Sequence, residues 1–347
     1  MRYPDFLKEN GTIGFVAPSF GCDIEPYKTA FESAVNYFHK EGYRCKIGPN
    51  CKLGKGIGIS NSPSECGKEI NSFFQDAEVD CLMSCGGGEL MCEVLDFIDF
   101  EKIGKAEAKW FMGYSDNTNL TFLLPTLCDI SSIDGPCAPA FGMQPWHPSI
   151  ADAFQLLKGE KLEVDGYDFW QKEGGKDEEH PLLPYHVTEP AVRHCYVGNR
   201  KLGEEEQTEV SGRLLGGCLD CLSILAGTKF DKVSEFSKKY ASDGILWFME
   251  SCDLNVFSVR RALWQLEHAG WFQNVKGFLI GRPGCFGEKM MGLDQYRAVL
   301  DILSKYEVPV LMDVDIGHLP PMMPIITGSV AEVTASSGRM RLKMKLE

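Results

Sequence analysis

The chain alternates short apolar runs with stretches whose apolar residues recur at helical spacing. Thr12-Ile13-Gly14-Phe15-Val16-Ala17 reads as a buried strand stopped by Pro18-Ser19, and a helical stripe follows at Phe31, Ala34, Val35 and Phe38. Gly42 ends that helix, a second strand covers 43–47, and a helix is expected over 63–74 after a Gly- and Ser-rich loop. The strand Val79 to Ser84 runs into Gly86-Gly87-Gly88, ahead of an amphipathic helix at Leu90, Met91, Val94, Leu95 and Ile98. Lys109 to Met112 is again strand-like. It breaks at Gly113-Tyr114-Ser115-Asp116, and helical spacing resumes through Leu124 before a strand at 132–135. Strands alternating with helices predict a parallel, doubly wound sheet with helices on both faces, an α/β fold that holds its sites at the C-terminal ends of the strands.

The pattern is interrupted between 142 and 190 by Pro145, Pro148, Pro181, Pro184 and a polar run from Gln171 to His180, with a short helix near 151–157. The expected organisation is an N-terminal domain over 1–142, a linker and mobile loop over 143–190, and a C-terminal domain over 191–347. The last of these opens on Gly212-Arg213-Leu214-Leu215-Gly216-Gly217 and a helix. Strands follow at 244–249, 275–280 and 308–314, with helices after Glu250 and at 293–306. Met340, Leu342, Met344 and Leu346 alternate with basic residues, the period of a half-exposed strand, so this domain is expected to be mixed α/β with a partly antiparallel sheet.

Composition narrows the functional classes. A 347-residue chain that is 44% hydrophobic can bury a sizeable core in two domains. With 49 acidic against 35 basic residues and a net charge of −14, it is poorly suited to nucleic acid or an anionic membrane. The opening Met1 to Asp5 starts no apolar signal segment, and no run approaches the roughly 20 apolar residues of a membrane span. A cytoplasmic protein is expected. Its fourteen scattered cysteines then read as reduced thiols.

Five features could carry chemistry. Ser115 at the strand-to-helix corner is either a helix cap or an exposed nucleophile. Gly86 to Gly88 matches no phosphate-binding motif and is either a tight turn or, through a Gly87 N–H acting with that of Asp116, an oxyanion hole. Cys218 and Cys221 have the spacing of half a metal site, but with Leu222 and Leu225 they also form one apolar helix face, and no metal is expected. His318 sits in a rigid Gly317-His318-Leu319-Pro320-Pro321 loop, and Glu250 ends an apolar strand, where burial demands a partner. Ser, Glu and His at the ends of three strands can be assembled as nucleophile, orienting carboxylate and base.

At these residues the chain resembles the LD-carboxypeptidase family of serine peptidases, which includes the microcin C immunity peptidases. The resemblance rests on Gly86-Gly87, the Gly-Tyr-Ser-Asp corner at 113–116, the Gly-Arg-Leu-Leu-Gly-Gly segment, the strand-terminal Glu250 and Gly-His-x-x-Pro at 317–321, in that order along nearly the whole chain. It implies a Ser115-Glu250-His318 triad, a flavodoxin-like N-terminal domain bearing the nucleophile, a C-terminal domain bearing Glu and His, no cofactor, a homodimer and a small peptide or peptidyl-nucleotide substrate. The peptidoglycan-recycling branch usually carries an arginine in its glycine loop, where this chain has Cys85-Gly86-Gly87-Gly88-Glu89. The microcin-immunity branch stacks tryptophans on a nucleobase, a role open to Trp170. Gly88 and Trp170 are the candidate substrate contacts. A non-catalytic nucleotide-binding protein is the reading from another class.

Overall fold

The computed structural model describes residues 1–347, which form two compact units: Met1–Lys161 with Glu173–His186, and Leu162–Lys172 with Val187–Glu347. No helix is long and apolar enough to cross a membrane.

In the first unit the apolar runs become β1 (Thr12–Val16), β2 (Arg44–Ile47), β3 (Cys81–Ser84), β4 (Trp110–Gly113) and β5 (Ser132–Asp134). They pair in parallel in the order β2-β1-β3-β4-β5. The wholly buried β1, β3 and β4 explain the unbroken apolar runs, because a parallel strand covered on both faces has no solvent side to make polar. Helix α1 (Tyr27–Lys40) buries the predicted stripe at Phe31, Ala34, Val35 and Phe38. Its Phe31 and Phe38 meet Phe15 of β1 at ring distances of 5.3 and 6.0 Å. Helix α2 (Pro63–Gln75) starts where the Ser62 side chain accepts from the Glu65 N–H, and it carries a buried carboxylate inward. That group, Glu69, accepts from the N–H of Ala17 (2.7 Å) and of Asn50 (2.8 Å), pinning the loops after β1 and β2. The helix expected near 90–98 forms as a 3₁₀ segment, Met91–Phe97, with Met91 and Val94 buried at the three-residue spacing that such a helix aligns.

The stretch 143–190, expected as linker and mobile loop, is instead divided between the units. Residues Pro148–Leu157 form α3, which Pro148 and the His147 ring start, and its Phe154 joins an aromatic cluster with Phe38, Phe141 and Trp146 in the first unit. The prolines that break the sequence period therefore start and flank a packed helix. Glu163–Asp165 becomes β6, an edge strand of the second unit.

The second unit is built on one nine-stranded sheet. After β6 its elements are β7 (His194–Val197), β8 (Arg200–Lys201), β9 (Thr208–Cys218), α4 (Leu219–Leu225), β10 (Ile245–Glu250) and α5 (Val256–His268). Then come β11 (Val275–Gly281), α6 (Gln295–Leu303), β12 (Pro309–Val314), β13 (Val330–Ala335) and β14 (Met340–Lys345). The order is β8-β7-β12-β11-β10-β9-β13-β14-β6. The central four strands, β12-β11-β10-β9, are parallel, and the flanks are antiparallel. The alternating C-terminal strand is β14, with Met340, Leu342 and Met344 inward. Cys218, Glu250 and Gly281 accordingly finish neighbouring parallel strands, at the edge where such sheets keep their chemistry.

Candidate active site

The corner after β4 holds Ser115 in a strained conformation. Its φ is +65°, left-handed for a residue with a Cβ, at a cost of order 1–3 kcal/mol that the surroundings must over-determine. They do so from three sides. The Asp116 carboxylate is buried and accepts from the Met91 N–H (2.9 Å), the Ser19 hydroxyl and Asn119 Nδ2 (3.1 Å). Asn117 Nδ2 donates to the carbonyls of Gly86 (2.7 Å) and Tyr114 (3.1 Å), tying the glycine loop to the turn. Gly113 admits this packing, since a Cβ there would lie 2.9 Å from Asn117 Cβ. The chain continues as a single 3₁₀ turn, Ser115–Asn117, and a four-residue α-helical segment, Thr118–Thr121.

Gly87 lies against the serine. A Cβ on it would come within 2.9 Å of Ser115 Oγ and 3.9 Å of the Asp116 nitrogen. Its carbonyl accepts from the Phe20 N–H at 2.8 Å, and Gly88 fits because a Cβ there would meet Ser19 Oγ at 2.1 Å. Ser115, Asp116, Gly87 and Gly88 thus form one cluster at the C-terminal ends of β3 and β4.

The second unit joins the other two candidates. His318 Nδ1 lies 2.7 Å from Glu250 Oε2, and the Glu250 side chain is buried. A carboxylate only accepts, so Nδ1 carries the proton and Nε2 is the basic nitrogen. Two glycines permit the approach. Gly317 has φ +101°, and a Cβ on it would sit 2.4 Å from Glu250 Oε2; one on Gly281 would sit 2.3 Å from the Ile316 carbonyl and 2.9 Å from Glu250 Cβ. Burial alone would lower the imidazole pKa, but the charge of Glu250 and hydrogen bonds with Cys252 and Glu250 hold it well above its ordinary value.

Three residues that the sequence reading passed over fix the His318 loop. Asp315, fully buried, pairs with Arg193 and with Arg282 Nη2 (2.7 Å), while its backbone carbonyl accepts from the Met323 N–H at 2.7 Å. Arg282 Nη1 adds a bond to the Asp313 carbonyl at 3.0 Å. For Arg282 and Asp315 the signal in the sequence is charge at apolar strand ends, at Gly281-Arg282 and Asp313-Val314-Asp315, where burial requires pairing. Trp170 is 5% exposed and packs inside its own unit, with Arg282 over its ring at 5.2 Å and Phe286 at 4.8 Å. Cys218, register partner of Glu250, brings its thiol beside the Glu250–His318 pair.

The chain matches the model of the LD-carboxypeptidase N-terminal domain over residues 13–135 and that of the C-terminal domain over 211–333. A Vibrio cholerae protein provisionally named a carboxypeptidase is 25% identical over 93% of this chain and 92% of its own. The microcin C7 self-immunity protein MccF of Escherichia coli is 25% identical over 93% and 90%. Among solved structures, a mutant of MccF in complex with adenosine monophosphate superposes with a TM-score of 0.80 at 19% identity, covering 99% of both chains. An MccF-like protein from Bacillus anthracis gives 0.76 at 19% identity over 99% and 100%, and both likenesses show a shared fold. With both domain models matched in order along a mixed α/β chain, the protein belongs to the LD-carboxypeptidase family of peptidases.

Proposed function

We propose that the chain is a serine carboxypeptidase in which His318 takes the proton of Ser115 as its oxygen attacks an amide carbonyl. Glu250 fixes the imidazole tautomer and stabilises the imidazolium, the N–H groups of Gly87 and Asp116 receive the oxyanion, and water releases the acyl-enzyme. The observation that carries the reading is the 2.7 Å bond from His318 Nδ1 to the buried Glu250, which leaves Nε2 as the base. The strained Ser115 against Gly87 supports it as the nucleophile. The favoured substrate is a cytoplasmic peptide cleaved at an L–D bond before a C-terminal D-residue, in keeping with the family.

A second reading is hydrolysis of an aminoacyl- or peptidyl-nucleotide. What favours it is the set of similar structures, described as MccF with glutamyl sulfamoyl guanosine and with aspartyl sulfamoyl adenosine. Parallel incubation with an L,D-tetrapeptide and an aminoacyl sulfamoyl adenylate separates the two substrates. A fluorophosphonate probe tests the chemistry: labelling of Ser115 that is lost in His318→Ala supports the enzyme. An unlabelled protein that binds nucleotide means a non-catalytic module.

A further inference from the structure

The ends of β9 and β10 gather three ligand atoms that the proposed hydrolysis does not use as a set. Cys218 Sγ, a Glu250 carboxylate oxygen and a His318 ring nitrogen all lie within 4.8 Å of one another. We infer that this triplet is a binding site for a thiophilic divalent cation, with Zn²⁺ the best fit, and that occupancy switches the peptidase site off.

The ligand set and its rigidity support the assignment. A tetrahedral zinc with bonds of about 2.0–2.3 Å holds its ligand atoms roughly 3.3–3.8 Å apart, so the widest spacing, no more than 4.8 Å, has to close by at most about 1–1.5 Å, and the Glu250–His318 pair, 2.7 Å apart at Nδ1, has to open by about 0.6 Å if that nitrogen is the ligand. Cys218 and Glu250 face each other in register on adjacent parallel strands and are 3% and 5% exposed, which makes two of the ligands pre-positioned. The third comes from a loop fixed by Gly317 and the Asp315 ion pairs. Thiolate, imidazole and carboxylate together suit Zn²⁺ and give little to Mg²⁺ or Ca²⁺, which prefer all-oxygen shells. Water completes the tetrahedral shell. As the chain stands, the Cys218 thiol donates to Asp220 Oδ2 at 3.4 Å; coordination would release that proton to solvent.

Either ring nitrogen gives the same consequence. A metal on Nδ1 replaces the bond to Glu250, and a metal on Nε2 occupies the base. This inhibitory consequence rests on the proposed hydrolysis, whereas the metal site itself does not.

The full chain, stripped of metal, is titrated with Co²⁺ and Zn²⁺. The expected result is one equivalent bound, with a near-ultraviolet thiolate-to-cobalt charge-transfer band. Cys218→Ala should lose the band and weaken Zn²⁺ binding by more than the roughly 10–100-fold that losing even an outer-shell partner costs. Cys218→Ser, which keeps a hydrogen-bonding γ atom able to donate to Asp220 as the thiol does, should lose the band while retaining the wild-type unfolding transition. Zn²⁺ should slow hydrolysis by wild type at least about tenfold while leaving Cys218→Ala near its own metal-free rate. No band in wild type, or a band that persists without Cys218 and so reports another of the fourteen cysteines, overturns the site. A bound metal without loss of hydrolysis overturns the switch. Should no hydrolysis be found at all, the cobalt spectrum still decides the site.

Discussion

Replacing Gly317 with alanine tests whether the close approach of this glycine to Glu250 is what keeps the imidazole basic. The new Cβ would lie 2.4 Å from Glu250 Oε2, 2.6 Å from Cγ and 2.7 Å from Cβ, where ordinary contact begins at 3.4 Å. The backbone at φ +101° adds a strain of order 1–3 kcal/mol, and overpacking adds about as much again if nothing moves. The carboxylate is what can retreat. A withdrawal of about 1 Å stretches its 2.7 Å bond to His318 Nδ1 beyond hydrogen-bonding range. With that bond lost and the carboxylate charge farther off, burial is less fully offset and the imidazole pKa should fall from its raised native value. Titrating the His318 ring resonances by NMR reads this without a substrate. A misplacement of this size should also cost about 10²-fold in kcat/KM. A folded Gly317→Ala protein with an unshifted His318 titration would show that the pairing does not depend on this glycine.

Ser115→Gly should abolish hydrolysis yet raise stability by about 1 kcal/mol, since glycine relieves the left-handed backbone; urea unfolding beside Ser115→Ala checks this. Glu250→Gln should move the acid limb of the kcat/KM profile to lower pH. Because the His318 pKa is raised in the native state, the stability due to its pairing is complete below the unfolded value and lost as pH rises through the native one. The variant should therefore be most destabilised on the acid side of that window, as unfolding at several pH values would reveal. Asp315→Asn leaves two buried arginines without their shared carboxylate and should cost about 3–5 kcal/mol by denaturant titration. A loss under 1 kcal/mol would mean that the cluster does not hold the His318 loop.

The periodicity alone set out the strands and helices of both halves, because the buried parallel strands at Phe15, Met83, Trp110 and Trp247 must be apolar on both faces and leave unbroken runs. It also singled out Ser115, Glu250 and His318, each a reactive group at the end of such a run. Other features needed the tertiary structure. The proline-broken stretch 143–190 reads as linker in the sequence because short elements lack a period, and only packing shows Phe154 in one core and Val164 in the sheet of the other unit. Likewise the 2.7 Å Glu250–His318 bond joins residues 68 positions apart, and the Asp315 cluster draws on residues up to 122 apart. Burial and local turn chemistry leave marks on neighbouring residues, so the sequence by itself determined which residues end the strands. Which side chains then meet depends on strand order and loop path, which no local pattern encodes, and that the tertiary structure decided.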